Sequence, residues 1–306
     1  MDASIENNNA GEDQLDQSLQ QIVVPPITNN VGVVIQTDSP ISVQYDERVV
    51  AFVDILGFKE IIRKSRSDPD LVRRVYTALD VSKDDWTTMY AAELGLQKSP
   101  DDFDDRFHSF SDFITMSVKP NIEEIGLLIY TIFKVCRQLL GQGFLSRGGI
   151  AKGLLYHRDD GEPSMIFGPA FIDAYQFEST HADGPRVILQ SDVWQTIETY
   201  KRDNPATRLA KFFDVHLPRA SDGPPFIDLF VDFHDRVFYN QTADLTTEIE
   251  TIHRYICKAL DESFDKPHYF KKNAELAKEF NLAVMKVESL HRFKIPGSKL
   301  PQRHGN

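Results

Sequence analysis

The chain has 306 residues, 41% of them hydrophobic, enough for one large domain or two small ones with a real core. Its formal net charge of −12 disfavours duplex DNA or RNA as a main partner, and the Lys/Arg clusters at 63–66 and 270–273 read as solvated helix faces. No stretch approaches the roughly 20 apolar residues of a membrane helix, the N-terminus lacks a signal-peptide pattern, and Cys136 and Cys257 sit in apolar segments without metal-ligand spacing, so a soluble cytoplasmic protein is expected.

Residues 1–44 are polar and poor in aromatics and read as a disordered tail. A first domain is expected over 45–200 and an extension packing on it over 201–306. Residues 48–55 form an apolar, β-branched strand of the kind covered on both faces. Helical patterns follow over 58–66 and 69–80, the second opened by Asp68 as N-cap with Pro69 behind it. Residues 80–103 give no clear pattern. "DRFHSFSDFITMSVK" (105–119) reads as two strands with Ser111 and Asp112 at the bend. Residues 121–143 form the longest helix, closed by Gly141 or Gly143. A glycine-punctuated strand over 144–157, a short helix over 168–181 and a segment starting as a strand over 186–194 come next. Beyond 200, "RLAKFFDVHLP" and "PPFIDLFVDF" read as further strands, and 244–288 as two helices. The order is the ferredoxin-like βαββαβ plan of an α+β fold, with C-terminal helical additions.

In that plan Asp54, near the end of the first strand, and Asp112, at the hairpin bend, lie close together. Two neighbouring carboxylates repel, so either a pKa is raised or a cation sits between them. Oxygen donors without His or Cys suit Mg²⁺ or Mn²⁺, and two such ions suit phosphoryl transfer. Two unrelated turn aspartates would look the same in sequence, because Asp is common in turns.

Four stretches bear on that choice. "F-V-D-I-L-G-F" (52–58) resembles the first metal motif of class III nucleotide cyclases, and "F-S-D" (110–112) resembles their Gly-Asp hairpin with Ser111 in place of glycine. "R-G-G-I-A-K-G" (147–153) fits their R-x-G-I-x-x-G strand. "F-G-P-A-F-I-D-A-Y-Q-F-E" (167–178) keeps the frame of their helix G-x-x-V-N-x-A-x-R-L-E but puts Ile172 and Gln176 where the transition-state Asn and Arg belong. The purine-reading positions hold His108 and Met165. With a C-terminal helix carrying Lys272 and Asn281, the pattern is similar to bacterial pyrimidine cyclases of the Pycsar type of antiphage defence.

The resemblance implies a uridylate cyclase, or in the alternative a cytidylate cyclase, making the 3′,5′-cyclic monophosphate and pyrophosphate. It implies two Mn²⁺ or Mg²⁺ ions at Asp54, Asp112 and the carbonyl of Ile55. It also implies a homodimer whose sites each borrow from the partner chain, and a companion effector activated by the cyclic nucleotide. Phe52 shares a strand face with Asp54, where it either stacks on a base or fills the core. Arg106 and His108 share the hairpin face with Asp112 and either contact the nucleotide or form an exposed pair. Met165 lines the base pocket as bulk. Arg147 either braces the phosphates or makes a structural ion pair, and Lys272 either reaches the phosphates or is a solvated helix lysine. Two other readings compete. One is a diguanylate cyclase, against which the hairpin lacks the required glycines and second acid; the other is an inactive cyclase-like module that binds a nucleotide or a partner.

Overall fold

Alternation along the first strand serves two layers at once. In β1 (Asp46–Ile55) the side chains of Val49, Ala51, Val53 and Ile55 enter the main core, while Val50, Phe52 and Asp54 face the other side of the sheet. The chain is described here from a computed structural model covering residues 44–81, 83–158, 165–182, 184–219, 223–235, 238–239 and 245–301; all but the last residue of the expected tail lies outside these.

β1 pairs antiparallel with β3 (Phe113–Val118) on one edge and with β4 (Ser146–Arg158) on the other, and β2 (Arg106–Phe110) continues the sheet beyond β3. The outer edge of β4 takes β6 (Val187–Leu189) in parallel and β5 (Met165–Phe167) antiparallel. The order β2-β3-β1-β4 is the ferredoxin-like arrangement, and the α+β class expected from the sequence is the class found.

Helix α1 (Phe58–Ser65) leaves β1 through Gly57, and α2 (Pro69–Leu79) starts with the Asp68 carboxylate accepting from the Leu71 N–H at 3.1 Å, as the N-cap expectation required. The uninterpreted stretch after residue 80 holds α3 (Lys83–Leu94) and a 3₁₀ turn at Pro100–Asp102. The long helix α4 (Ile122–Gly141) is buried on nearly every side, since the sheet lies under it and outer helices lie over it. Gly143, with φ 80°, follows its end. Helix α5 (Pro169–His181) crosses the opposite face of the sheet, over β1 and β4.

The two strands expected after residue 200 are not strands. "RLAKFFDVHLP" forms α7 (Arg208–His216) behind α6 (Ser191–Asp203). The Thr207 hydroxyl accepts from the Ala210 N–H at 3.2 Å, and Leu209, Phe212, Phe213 and His216 recur at helical spacing on the buried side. "PPFIDLFVDF" makes only single bridges, Ile188 with Phe226 and Arg219 with Pro225, before a 3₁₀ turn at Val231–Phe233. The two C-terminal helices expected there are α8 (Thr246–Ser263) and α9 (Pro267–Val284), which pack on each other. Asn281 clamps α9 to the following segment: its amide donates to the Ile295 carbonyl at 3.0 Å and its oxygen accepts from the Ile295 N–H at 2.8 Å. Among the described residues no helix is long and apolar enough to cross a membrane.

Candidate active site

Strand pairing is what gathers the site. Asp54 is opposite Phe113 in one neighbouring strand and Arg147 in the other. The β2–β3 turn is tied to the end of β1 by the Ile55 N–H, which donates to the Asp112 carbonyl at 2.8 Å. Asp54 and Asp112 therefore line one cleft of about 520 Å³, walled by Phe113 and Arg147 and by the Phe171–Tyr175–Glu178 face of α5.

Close approach of α5 depends on Gly149. A Cβ there would drive into the carbonyl oxygen of Ala174 and come within 3.0 Å of the Glu178 nitrogen. The glycine pair in "R-G-G-I" thus lets α5 lie directly on β4 and lowers Glu178 onto Arg147. Ser111 takes φ 55°, in the left-handed region that favours glycine.

The electrostatics follow from burial. The Arg147 guanidinium stands 3.7 Å from the Asp54 carboxylate and forms an ion pair with Glu178, which is 1% exposed. Burial raises the Asp54 pKa, Arg147 pulls it back, and the Asp112 charge pushes it up again. Glu178 is raised by burial and by Asp54, against Arg147 and Lys272. Lys272 of α9 is thus within electrostatic reach of both acids. Among the described residues no group of three or more His, Cys, Asp or Glu could hold a metal ion. An ion here would rest on the Asp54 and Asp112 carboxylates, with backbone and substrate oxygens completing its shell; the donor set suits a hard divalent cation.

The other expected site residues have separate addresses. Phe52 is 6% exposed, stacked on Phe113 at 5.4 Å and edge-on to Phe171 and Tyr175, so it floors the cleft as part of a small aromatic core. Arg106 pairs with Asp104 at 3.1 Å, beside the buried Arg48. His108 lies against Phe110 at 6.4 Å. Met165 lies on β5 opposite Arg158, 47% exposed. None of these three lines the Asp54 cleft. Asn281 serves the α9 clamp. Ile172 and Gln176 lie on the exposed side of α5. Sequence reasoning missed Glu178 and Tyr175 as wall residues; their spacing with Phe171, i, i+4 and i+7 on one helix, was the available signal.

Fold and site together describe an α+β protein with a two-carboxylate cleft at the end of its central strands. No protein-family model and no curated protein matches the chain. Solved structures similar to it include the adenylyl cyclase CyaB from P. aeruginosa, at TM-score 0.33 and 15% identity over 51% of this chain and 82% of that one. They also include the guanylate cyclase domain of RhGC from Catenaria anguillulae in complex with GTP, at 0.36 and 14% over 51% and 84%. A third is a bacterial light-regulated adenylyl cyclase, at 0.33 and 13% over 52% of this chain; the chain spans about half, 47%, of that protein.

Proposed function

We propose that the chain is a nucleotide cyclase of the class III type that converts UTP or CTP to its 3′,5′-cyclic monophosphate. The observation that carries this reading is the meeting of Asp54 and Asp112 in one cleft, with Arg147 directly across from Asp54. Four sequence motifs of that family supply these residues and the close helix–strand contact at Gly149. In the reaction the ribose 3′-hydroxyl gives up its proton to solvent as its oxygen bonds to the α-phosphorus, and the bond from that phosphorus to the oxygen bridging to the β-phosphate breaks, so that pyrophosphate leaves.

Asp54, Asp112 and the Ile55 carbonyl would hold Mn²⁺ or Mg²⁺, which supplies positive charge at the phosphates and acidifies the attacking hydroxyl. Arg147 offers its guanidinium to the triphosphate from the same wall, and Lys272 adds a second cation. The apolar floor of Phe52 and Phe113 keeps water from that side of the reacting group. The pyrimidine preference rests on His108 and Met165 at positions that read purines in the family, since Met brings bulk without a donor. The reading includes a homodimer in which those positions serve the partner's site, and a companion effector in antiphage defence that responds to the cyclic product.

Incubation of the purified chain with the four nucleoside triphosphates and Mn²⁺, with cyclic products identified by mass, tests this. Cyclic UMP or cyclic CMP is expected to dominate; cyclic AMP or cyclic GMP would remove the pyrimidine assignment. A second reading, a binding module without turnover, is favoured by Ile172 and Gln176, which offer neither the amide nor the guanidinium of the family's transition-state pair. Nucleotide binding without any cyclic product would establish it.

A further inference from the structure

A second cleft, of about 590 Å³, lies between the segments around β6 and one face of α9, and it shares no lining residue with the Asp54 cleft. Its volume falls in the range of small-molecule sites, about 300–1,000 Å³. Helix α9 supplies Lys271, and Lys286 follows just beyond its C-terminal end, with Leu276 and Ala283 of the helix toward the floor. The facing wall supplies Arg186, just before β6, and Arg219, after α7. Phe226 and Ile227 complete an apolar floor.

The charge balance in this cleft departs from that of the chain. Four cations face three carboxylates, Asp228, Glu275 and Glu279, in a protein whose net charge is −12. Two of the carboxylates have partners of their own. Glu275 pairs with Lys278 on the outer surface at 2.6 Å, and Asp228 accepts from the Phe230 N–H at 2.8 Å. Burial, with Asp228 and Glu275 nearby, raises the pKa of Glu279 against the pull of Arg186 and Lys286, which weakens its hold on charge. Of the cations, the Arg186 guanidinium lies 5.7 Å over the Phe226 ring, Lys286 Nζ stands 3.0 Å from His234 Nε2, Arg219 donates from Nε to the Gly223 carbonyl at 3.2 Å, and Arg219 and Lys271 are exposed at the rim. Four cations oppose a metal ion there. Cations at a rim above an apolar floor suit a molecule with one anionic end.

We propose that this cleft is a second ligand site, for a small organic anion. Its apolar or aromatic body lies on the Phe226 and Leu276 floor, and its phosphate or carboxylate faces Arg186, Arg219, Lys271 and Lys286. Nothing in this depends on the chemistry of the Asp54 cleft. The two clefts nonetheless share a helix. Lys271 lines this one, and the next residue, Lys272, acts on Asp54 and Glu178.

Two fluorescent probes separate the anionic requirement from simple greasiness. 1-Anilinonaphthalene-8-sulfonate and N-phenyl-1-naphthylamine share one aromatic body and differ by the sulfonate. Titrated into the full chain, the sulfonate dye is expected to bind saturably, at least about tenfold tighter than the neutral dye, and 1-naphthyl phosphate to displace it. An Arg219→Gln/Lys271→Gln double variant is expected to lose about tenfold in affinity for the sulfonate dye and none for the neutral one. Both residues are exposed, so the variant should keep the wild-type melting temperature; should it not, Lys286→Gln alone provides the same reading. Equal affinity for the two dyes, or unchanged sulfonate-dye affinity in the folded variants, overturns the proposal.

Discussion

Asp54 is held by partners that survive its loss. Arg147 keeps its pair with Glu178 when the Asp54 carboxylate is removed, and the strand around position 54 is fixed by backbone pairing on both edges. Asp54→Ala and Asp112→Ala are therefore expected to abolish cyclic-nucleotide formation while shifting stability by no more than about 1 kcal/mol. Product assays beside denaturant titrations check both halves, and a wild-type turnover rate in either variant would sink the two-carboxylate mechanism. Ser111 makes the opposite prediction. Its left-handed φ of 55° costs a side chain about 1 kcal/mol that glycine does not bear, so Ser111→Gly should be neutral to mildly stabilising and leave the turn in place. A loss of more than about 1 kcal/mol would show that the serine side chain contributes to the turn beyond its backbone.

At the scale of elements, the docking of α5 on β4 decides the shape of the cleft. Gly149→Ala would push a methyl into the helix backbone at Ala174, where neither side can yield by rotating a side chain. The expected cost is about 1–3 kcal/mol, with loss of activity because Glu178 and Tyr175 retreat from Arg147 and Phe52. Thermal unfolding together with product formation measures this. This helix also shows what could be read in advance. The strand–helix–hairpin order, Asp68 as a cap and the Ser111–Asp112 bend were legible because each rests on local chemistry: period, capping oxygen, turn residue. The later segment at 208–216 was misread because Phe212, Phe213 and Val215 carry strand propensity, while the decisive signals were the Thr207 cap and burial of one helical face. The Asp54–Asp112 meeting was legible once the strand order was assumed. The Arg147–Glu178 pair was not, since it depends on how deeply a helix settles on a strand, and that depth is set by the absent Cβ of Gly149.

For the molecule as a whole, acid sensitivity should reside in two histidines remote from the cleft. His216 is fully buried between α7 and Tyr239, whose hydroxyl is 2.5 Å from its Nε2, and burial depresses its pKa to about 4. His157, against Ser117, is depressed to about 3 by burial and by Arg48. Unfolded, each would take a proton near pH 6.5. The unfolded chain then binds more protons than the folded one below that pH, so stability is full above pH 6.5 and falls as the pH drops toward 4. Denaturant titrations from pH 7.5 to 4 should show this decline, and His216→Gln should flatten it. A slope unchanged in that variant would place the acid sensitivity elsewhere.

The bridging position of Arg147 carries one more consequence. Because the guanidinium already sits between Asp54 and Glu178, both carboxylates have a cationic partner in the bare polypeptide. On the proposed reading, the sheet can form before any divalent ion binds, and the ion would then compete with Arg147 for the Asp54 carboxylate. Folding and loading would then be separate events, unlike in domains that collapse only around their metal. Exhaustive treatment with EDTA should accordingly leave the melting temperature of the chain unchanged to within about 2 °C, while added Mn²⁺ raises it in proportion to the logarithm of its concentration. Unfolding on chelation would show that Arg147 is no substitute for the ion.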